Sequence, residues 1–99
     1  MKDTDIFKVL ANTTRLQILQ WLKEPERHFP PEENLLDSLG ICVGSIQRKT
    51  KLAQSTVSHY LSMLESAGFV VSTRKGQCTY YRRNESAFSD LARRVATEM

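Results

Sequence analysis

The chain has 99 residues, 40 % of them hydrophobic and 25 % charged, which suits one small globular domain and excludes an intrinsically disordered polymer. No run approaches the roughly 18 apolar residues that a membrane span requires, and the polar start from Met1 to Asp5 does not resemble a signal peptide. The formal net charge of +3 is unevenly placed: residues 1–47 carry −2, residues 48–83 carry +6 and residues 84–99 carry −1. A basic centre between weakly acidic flanks suits a polyanionic partner, although a solvated basic face has the same composition.

Ile6, Phe7 and Leu10 fit one face of a short first helix. Asn12-Thr13-Thr14 offers capping side chains for a second helix. Leu16, Leu19 and Leu22, with Ile18 and Trp21 beside them, give it an apolar face that ends near Lys23. Pro25 and Pro30-Pro31 stop that helix. The charged stretch from Glu24 to Asn34 is expected to be an exposed loop, with a helical turn around Leu35, Leu36 and Leu39 before Gly40.

From Val43 to Lys51 the pattern predicts a short helix with Ile46 inward and Gln47, Arg48 and Lys49 outward. Leu52-Ala53-Gln54 forms a turn. Ser55 or its neighbour caps a further helix carrying Val57, Tyr60, Leu61 and Leu64, and Gly68 ends it. Two helices joined by so short a turn make a helix-turn-helix. Phe69 to Thr73 and Cys78 to Arg83 read as strands around Arg74-Lys75-Gly76-Gln77, a β-hairpin with a cationic tip. The last helix, from about Glu85 to Met99, carries Phe88, Leu91, Ala92, Val95 and Met99 on one stripe. The expected fold class is therefore mainly α with a two-stranded β-wing: a single winged helix-turn-helix domain over residues 1–99.

A helix reads a DNA major groove when its N-terminal part offers short donors and acceptors while its inner face stays anchored. Here Val57, Leu61 and Leu64 anchor, and Gln54, Ser55, Thr56, Ser58 and His59 remain for base edges and phosphates. Arg48 and Lys49 on the preceding helix, with Arg74 and Lys75 on the wing, complete the expected DNA-binding set. Each polar residue alone would pass for a solvated helix face; the specificity lies in the combination.

Phe7 to Leu19, with its Ala11-Asn12-Thr13-Thr14-Arg15-Leu16 core, resembles the opening of ArsR-family repressors. Leu52 to Val70 resembles that family's recognition helix and its exit into the wing, and Arg74 to Arg83 resembles the wing itself. The resemblance covers nearly the whole chain apart from residues 24–40. It implies a homodimeric repressor on double-stranded DNA, released by an effector; two copies are expected to span a palindromic operator, and two cysteines without a secretory signal suit a cytoplasmic chain. It also implies dimerisation through the first and last helices, here Ile6, Phe7 and Leu10 with Phe88, Leu91, Val95 and Met99. A core role within one subunit is the alternative for these residues.

The family's metal sites are incomplete in this chain. Its thiolate site pairs two cysteines one residue apart, whereas Ile41-Cys42-Val43-Gly44 keeps only one. The last helix has Asp90 and Glu98 but no histidine. No metal and no cofactor is expected. Cys42 and Cys78, in a chain without a secretory signal, are expected as reduced thiols. Cys42 opens the helix-turn-helix, where the positive end of a helix favours a thiolate, and is the candidate redox sensor; a small buried hydrophobe is the plainer alternative. Cys78 is expected to be structural. Neither a glycine-rich phosphate loop nor a nucleophile signature is present, so no enzymatic activity is expected. The alternative function is a winged-helix module that docks protein or RNA without operator binding.

Overall fold

The computed structural model describes residues 2–34 and 38–99. Among the described residues six helices and three strands follow one another: α1 (Asp3–Leu10), α2 (Thr13–Lys23), α3 (Pro25–His28), β1 (Ile41–Cys42), α4 (Val43–Thr50), α5 (Gln54–Ser66), β2 (Val70–Lys75), β3 (Cys78–Arg83) and α6 (Glu85–Glu98). A 3-10 turn, Pro31–Glu33, follows α3. None of the described helices is long and apolar enough to cross a membrane.

Local chemistry sets most boundaries. The Asn12 side chain accepts a hydrogen bond from the Arg15 amide at 2.9 Å, capping α2 as its sequence predicts. α5 ends in a Schellman arrangement: the Gly68 amide donates to the Glu65 carbonyl and the Phe69 amide to that of Leu64. This requires the positive φ of 85° that glycine adopts without steric cost.

The sheet has the order β1-β3-β2, antiparallel throughout, so the wing hairpin gains a short third strand that the sequence pattern does not announce. Ile41 pairs with Tyr81 and Cys42 with Tyr80. Gly40 permits the approach: at φ 95°, a Cβ there would collide with the Tyr81 backbone carbonyl. Ile18, Leu19 and Leu22 of α2, Ile46 of α4, Val57, Leu61 and Leu64 of α5, and Phe69 and Val70 form the core.

Three expectations change. Residues 24–34 are not simply an exposed loop: Pro25 stands at the start of α3, where its missing N–H costs nothing, and Phe29 joins the core. Trp21 meets the Phe29 ring edge-on at 6.5 Å, which anchors the segment. The face of α2 is also rotated, because Arg15 is buried with Ile18, Leu19 and Leu22 while Leu16 is exposed. Finally, α5 begins at Gln54, with Ala53 rather than Ser55 at the cap and no side-chain bond there. Of the expected turn around residues 35–39, Leu35 and Leu36 lie outside the described residues.

Candidate nucleic-acid interface

α4 stops at Lys51, which adopts the left-handed conformation at φ 61°, and the chain re-enters a helix three residues later. The Thr50 hydroxyl donates to the Gln47 carbonyl at 2.9 Å and accepts from the Leu52 amide at 3.3 Å, holding this turn. Ile46 below and Val57, Leu61 and Leu64 above are fully buried, so the two helices share one apolar seam.

At about 100° per residue, the exposed Gln54, Ser55, Ser58, His59 and Ser62 fall within one arc of roughly 140° on α5. Thr56 is half-buried at its margin. The opposite side of the helix carries Val57, Leu61 and Leu64. Ser62 extends the expected set by one turn; its spacing of four from Ser58 was the available signal.

The exit of α5 is tied to the wing, since the Ser72 hydroxyl on β2 donates to the Glu65 carboxylate. Burial, and then the charge of Glu65, raises the Tyr81 hydroxyl above its usual pKa of 10.0. Beyond β1 the hairpin projects to a two-residue turn, Gly76-Gln77, because Lys75 pairs with Cys78.

The basic residues of the 48–83 segment divide into two groups. Arg83 is turned inward, its side chain only 10 % exposed. It lies 3.7 Å from the Phe88 ring centroid and donates to the Leu19 carbonyl at 3.3 Å and to Glu85 at 2.9 Å. Arg48 pairs with Glu33 at 2.7 Å. A hydrogen bond from Ser45, then the Arg48 guanidinium, holds the Glu33 carboxyl below its usual range. The Lys49 ammonium sits over Trp21 and Phe29, 5.0 Å and 5.7 Å from their centroids. Among the described residues, Lys51, Arg74, Lys75 and Arg82 are exposed and pair with no acidic side chain. The expected cations Arg48 and Lys49 are therefore engaged by an acidic side chain and by aromatic rings, whereas Arg74 donates only to the Gly76 carbonyl at 3.2 Å and, among the described residues, neither Arg74 nor Lys75 meets an acidic side chain.

The terminal helices meet through an ion pair of Arg94 with Asp3. Ile6, Leu10, Phe88 and Leu91 are half-buried against the core, while Phe7, Val95 and Met99 stand 41 %, 46 % and 56 % exposed. The expected dimer stripe is thus split between residues that serve their own subunit and residues left open.

The expectation of two separate reduced thiols is overturned. Cys42 and Cys78 form a disulfide across β1 and β3, with Cα atoms 6.0 Å apart. Cys42 faces Tyr80, so Cys78 lies two residues further along the same strand and on the same face. This diagonal neighbour is within reach of a disulfide. Among the described residues no three His, Cys, Asp or Glu side chains converge as metal ligands.

Comparison with known proteins gives a consistent picture. Residues 35–72 match the model of the arsR family of bacterial regulatory proteins. The chain is 48 % identical to the HTH-type transcriptional regulator YbzH of Bacillus subtilis (strain 168) over the full length of both. It is 27 % identical to the transcriptional repressor SdpR of the same organism, over 87 % of this chain and 80 % of that one. Among solved structures it resembles the homodimeric winged helix-turn-helix DNA-binding domain Mb0332 of Mycobacterium bovis. There the identity is 32 %, the coverage 96 % of this chain and 78 % of that one, and the TM-score 0.62.

Proposed function

Since the chain belongs to the ArsR family of bacterial transcriptional regulators and has their winged helix-turn-helix fold, we propose that it is a homodimeric repressor of a palindromic duplex operator, released by an effector. The observation that carries this reading is the exposed polar arc of α5, Gln54 to Ser62, on the same molecule as the exposed wing cations Arg74 and Lys75, which meet no acidic side chain among the described residues. Short polar side chains on an anchored helix suit base edges in the major groove, and the wing cations suit flanking phosphates. One copy presents one such helix, so a palindrome about one helical turn between half-site centres calls for two. Phe7, Val95 and Met99 supply open apolar surface for that pairing.

Fluorescence anisotropy with genomic duplex fragments, titrated with salt, tests the proposal. Specific fragments should bind tightly, and affinity should fall steeply as salt rises because phosphate contacts release counterions. Absence of binding to every duplex, or binding that ignores salt, overturns it; selective capture of RNA or protein would instead favour the docking-module alternative.

A further inference from the structure

We propose that Cys42 and Cys78 form a reversible dithiol–disulfide pair that governs how firmly the wing is held against the helix-turn-helix, the disulfide form being the tighter DNA binder. For its effect on DNA the proposal rests on the function proposed above.

The placement of the two residues carries it. Cys42 is the cap residue of α4, the first helix of the helix-turn-helix, and the second residue of a two-residue strand. Cys78 is the first residue of β3, directly after the Gly76-Gln77 tip and opposite Lys75. Apart from the disulfide, β1 grips the hairpin through the pairs Ile41–Tyr81 and Cys42–Tyr80, both nearer its base. The disulfide therefore seizes the wing where it leaves the sheet, next to Arg74 and Lys75. The ring it closes, 36 residues in sequence separation, contains α4, the turn, all of α5 and all of β2. Both cysteines are half-buried rather than sealed in the core, so small oxidants and thiol reductants can reach them.

The chemistry balances with two partners. With a hydroperoxide, one thiolate attacks the outer oxygen to give a sulfenic acid and an alcohol, or water when the oxidant is hydrogen peroxide. The second thiol then attacks that sulfur and expels water, so two thiols become one disulfide. With a small dithiol, a thiolate opens the Cys42–Cys78 bond to a mixed disulfide. The reductant's second thiol then displaces the released cysteine, leaving two thiols on the protein and an oxidised reductant. The reductant class is thus the effector that loosens the wing. A free wing must be ordered when it meets phosphate, and a clamped wing has already lost that freedom.

The full-length protein is prepared oxidised with hydrogen peroxide or reduced with dithiothreitol, and compared by amide hydrogen exchange without DNA and by duplex anisotropy. Reduction should speed exchange most in β1, β3 and the wing tip, with a smaller and uniform acceleration in α2 and α5 from the lost loop closure. It should also weaken duplex binding reversibly, roughly three- to tenfold. Cys42→Ser and Cys78→Ser should each behave as reduced wild type under both treatments. The proposal is overturned if exchange in reduced wild type is unchanged or accelerates no more in the wing than in α2 and α5, if reduction leaves or increases duplex affinity, or if either variant keeps the response. If no duplex binds in either state, the DNA-binding function fails, and the exchange data alone decide whether the wing is clamped.

Discussion

The guanidinium of Arg15 lies over the ring of Tyr60, 5.1 Å from its centroid, while its Nε donates to the Val9 carbonyl at 2.6 Å and its terminal nitrogen to that of Lys8 at 3.1 Å. A buried arginine thus satisfies the open carbonyl end of α1, stabilises its own charge on an aromatic face, and joins α1 and α2 to α5. One side chain touches all three helices.

Arg15→Met should therefore cost about 2–4 kcal/mol, because the Val9 and Lys8 carbonyls lose charged donors in a buried setting. Tyr60→Leu should cost less, roughly 1 kcal/mol for the lost ring–cation contact. Urea unfolding with a double-mutant cycle measures both. Additive effects would show that the ring and the guanidinium act independently.

Reading and gripping should separate. Ser58→Ala and Thr56→Ala are expected to weaken operator binding by roughly 1–3 kcal/mol per lost base contact while sparing random duplex. Arg74→Ala and Lys75→Ala should weaken both alike and flatten the salt slope. Arg48→Ala should matter less than either wing change, since Arg48 is engaged with Glu33. Anisotropy with matched operator and scrambled duplexes distinguishes these outcomes.

For the dimer, Val95→Glu is a sharper probe than Leu91→Glu. Val95 is exposed, so a charge there should leave the monomer folded, whereas Leu91 packs against its own core. Sedimentation should give a dimer for the wild type at micromolar concentration and a folded monomer for Val95→Glu. A variant that remains dimeric would place the interface elsewhere.

The pH dependence of stability should carry the signature of Glu33. Its folded pKa is below the usual 4.5, so its contribution is complete above that value and is lost as pH falls through the lowered folded pKa. The advantage of wild type over Glu33→Gln in urea midpoint should be constant near neutrality and shrink in acid. An advantage unchanged down to the acid limit would assign it to packing instead.

Reduction should also lower global stability. A closed loop with a sequence separation of 36 limits the unfolded chain, and its opening should cost about 2–4 kcal/mol. Denaturation with and without dithiothreitol reads this directly, and Cys78→Ser should match the reduced wild type.

Local pattern was sufficient for much of this protein. The Asn12 cap, the Gly68 stop, the buried Val57-Leu61-Leu64 side of α5 and the wing strands were all legible, because each depends on neighbours within a turn or two of the chain. The polar arc of α5 followed from the same periodicity. Other features depended on which surface meets which. Arg15 and Leu16 are adjacent, and an apolar stripe does not say which of its flanks turns inward. Only the carbonyls at the end of α1 and the ring of Tyr60 make a buried arginine stable there. The count of basic residues likewise could not separate Arg83, folded onto Phe88, from Arg74 at the solvent-facing wing. The union of Cys42 with Cys78 was the least accessible. A two-residue strand has no detectable period, and the partner of a cysteine 36 positions away is chosen by the register of β1 against β3, a relation that exists only once the chain has folded.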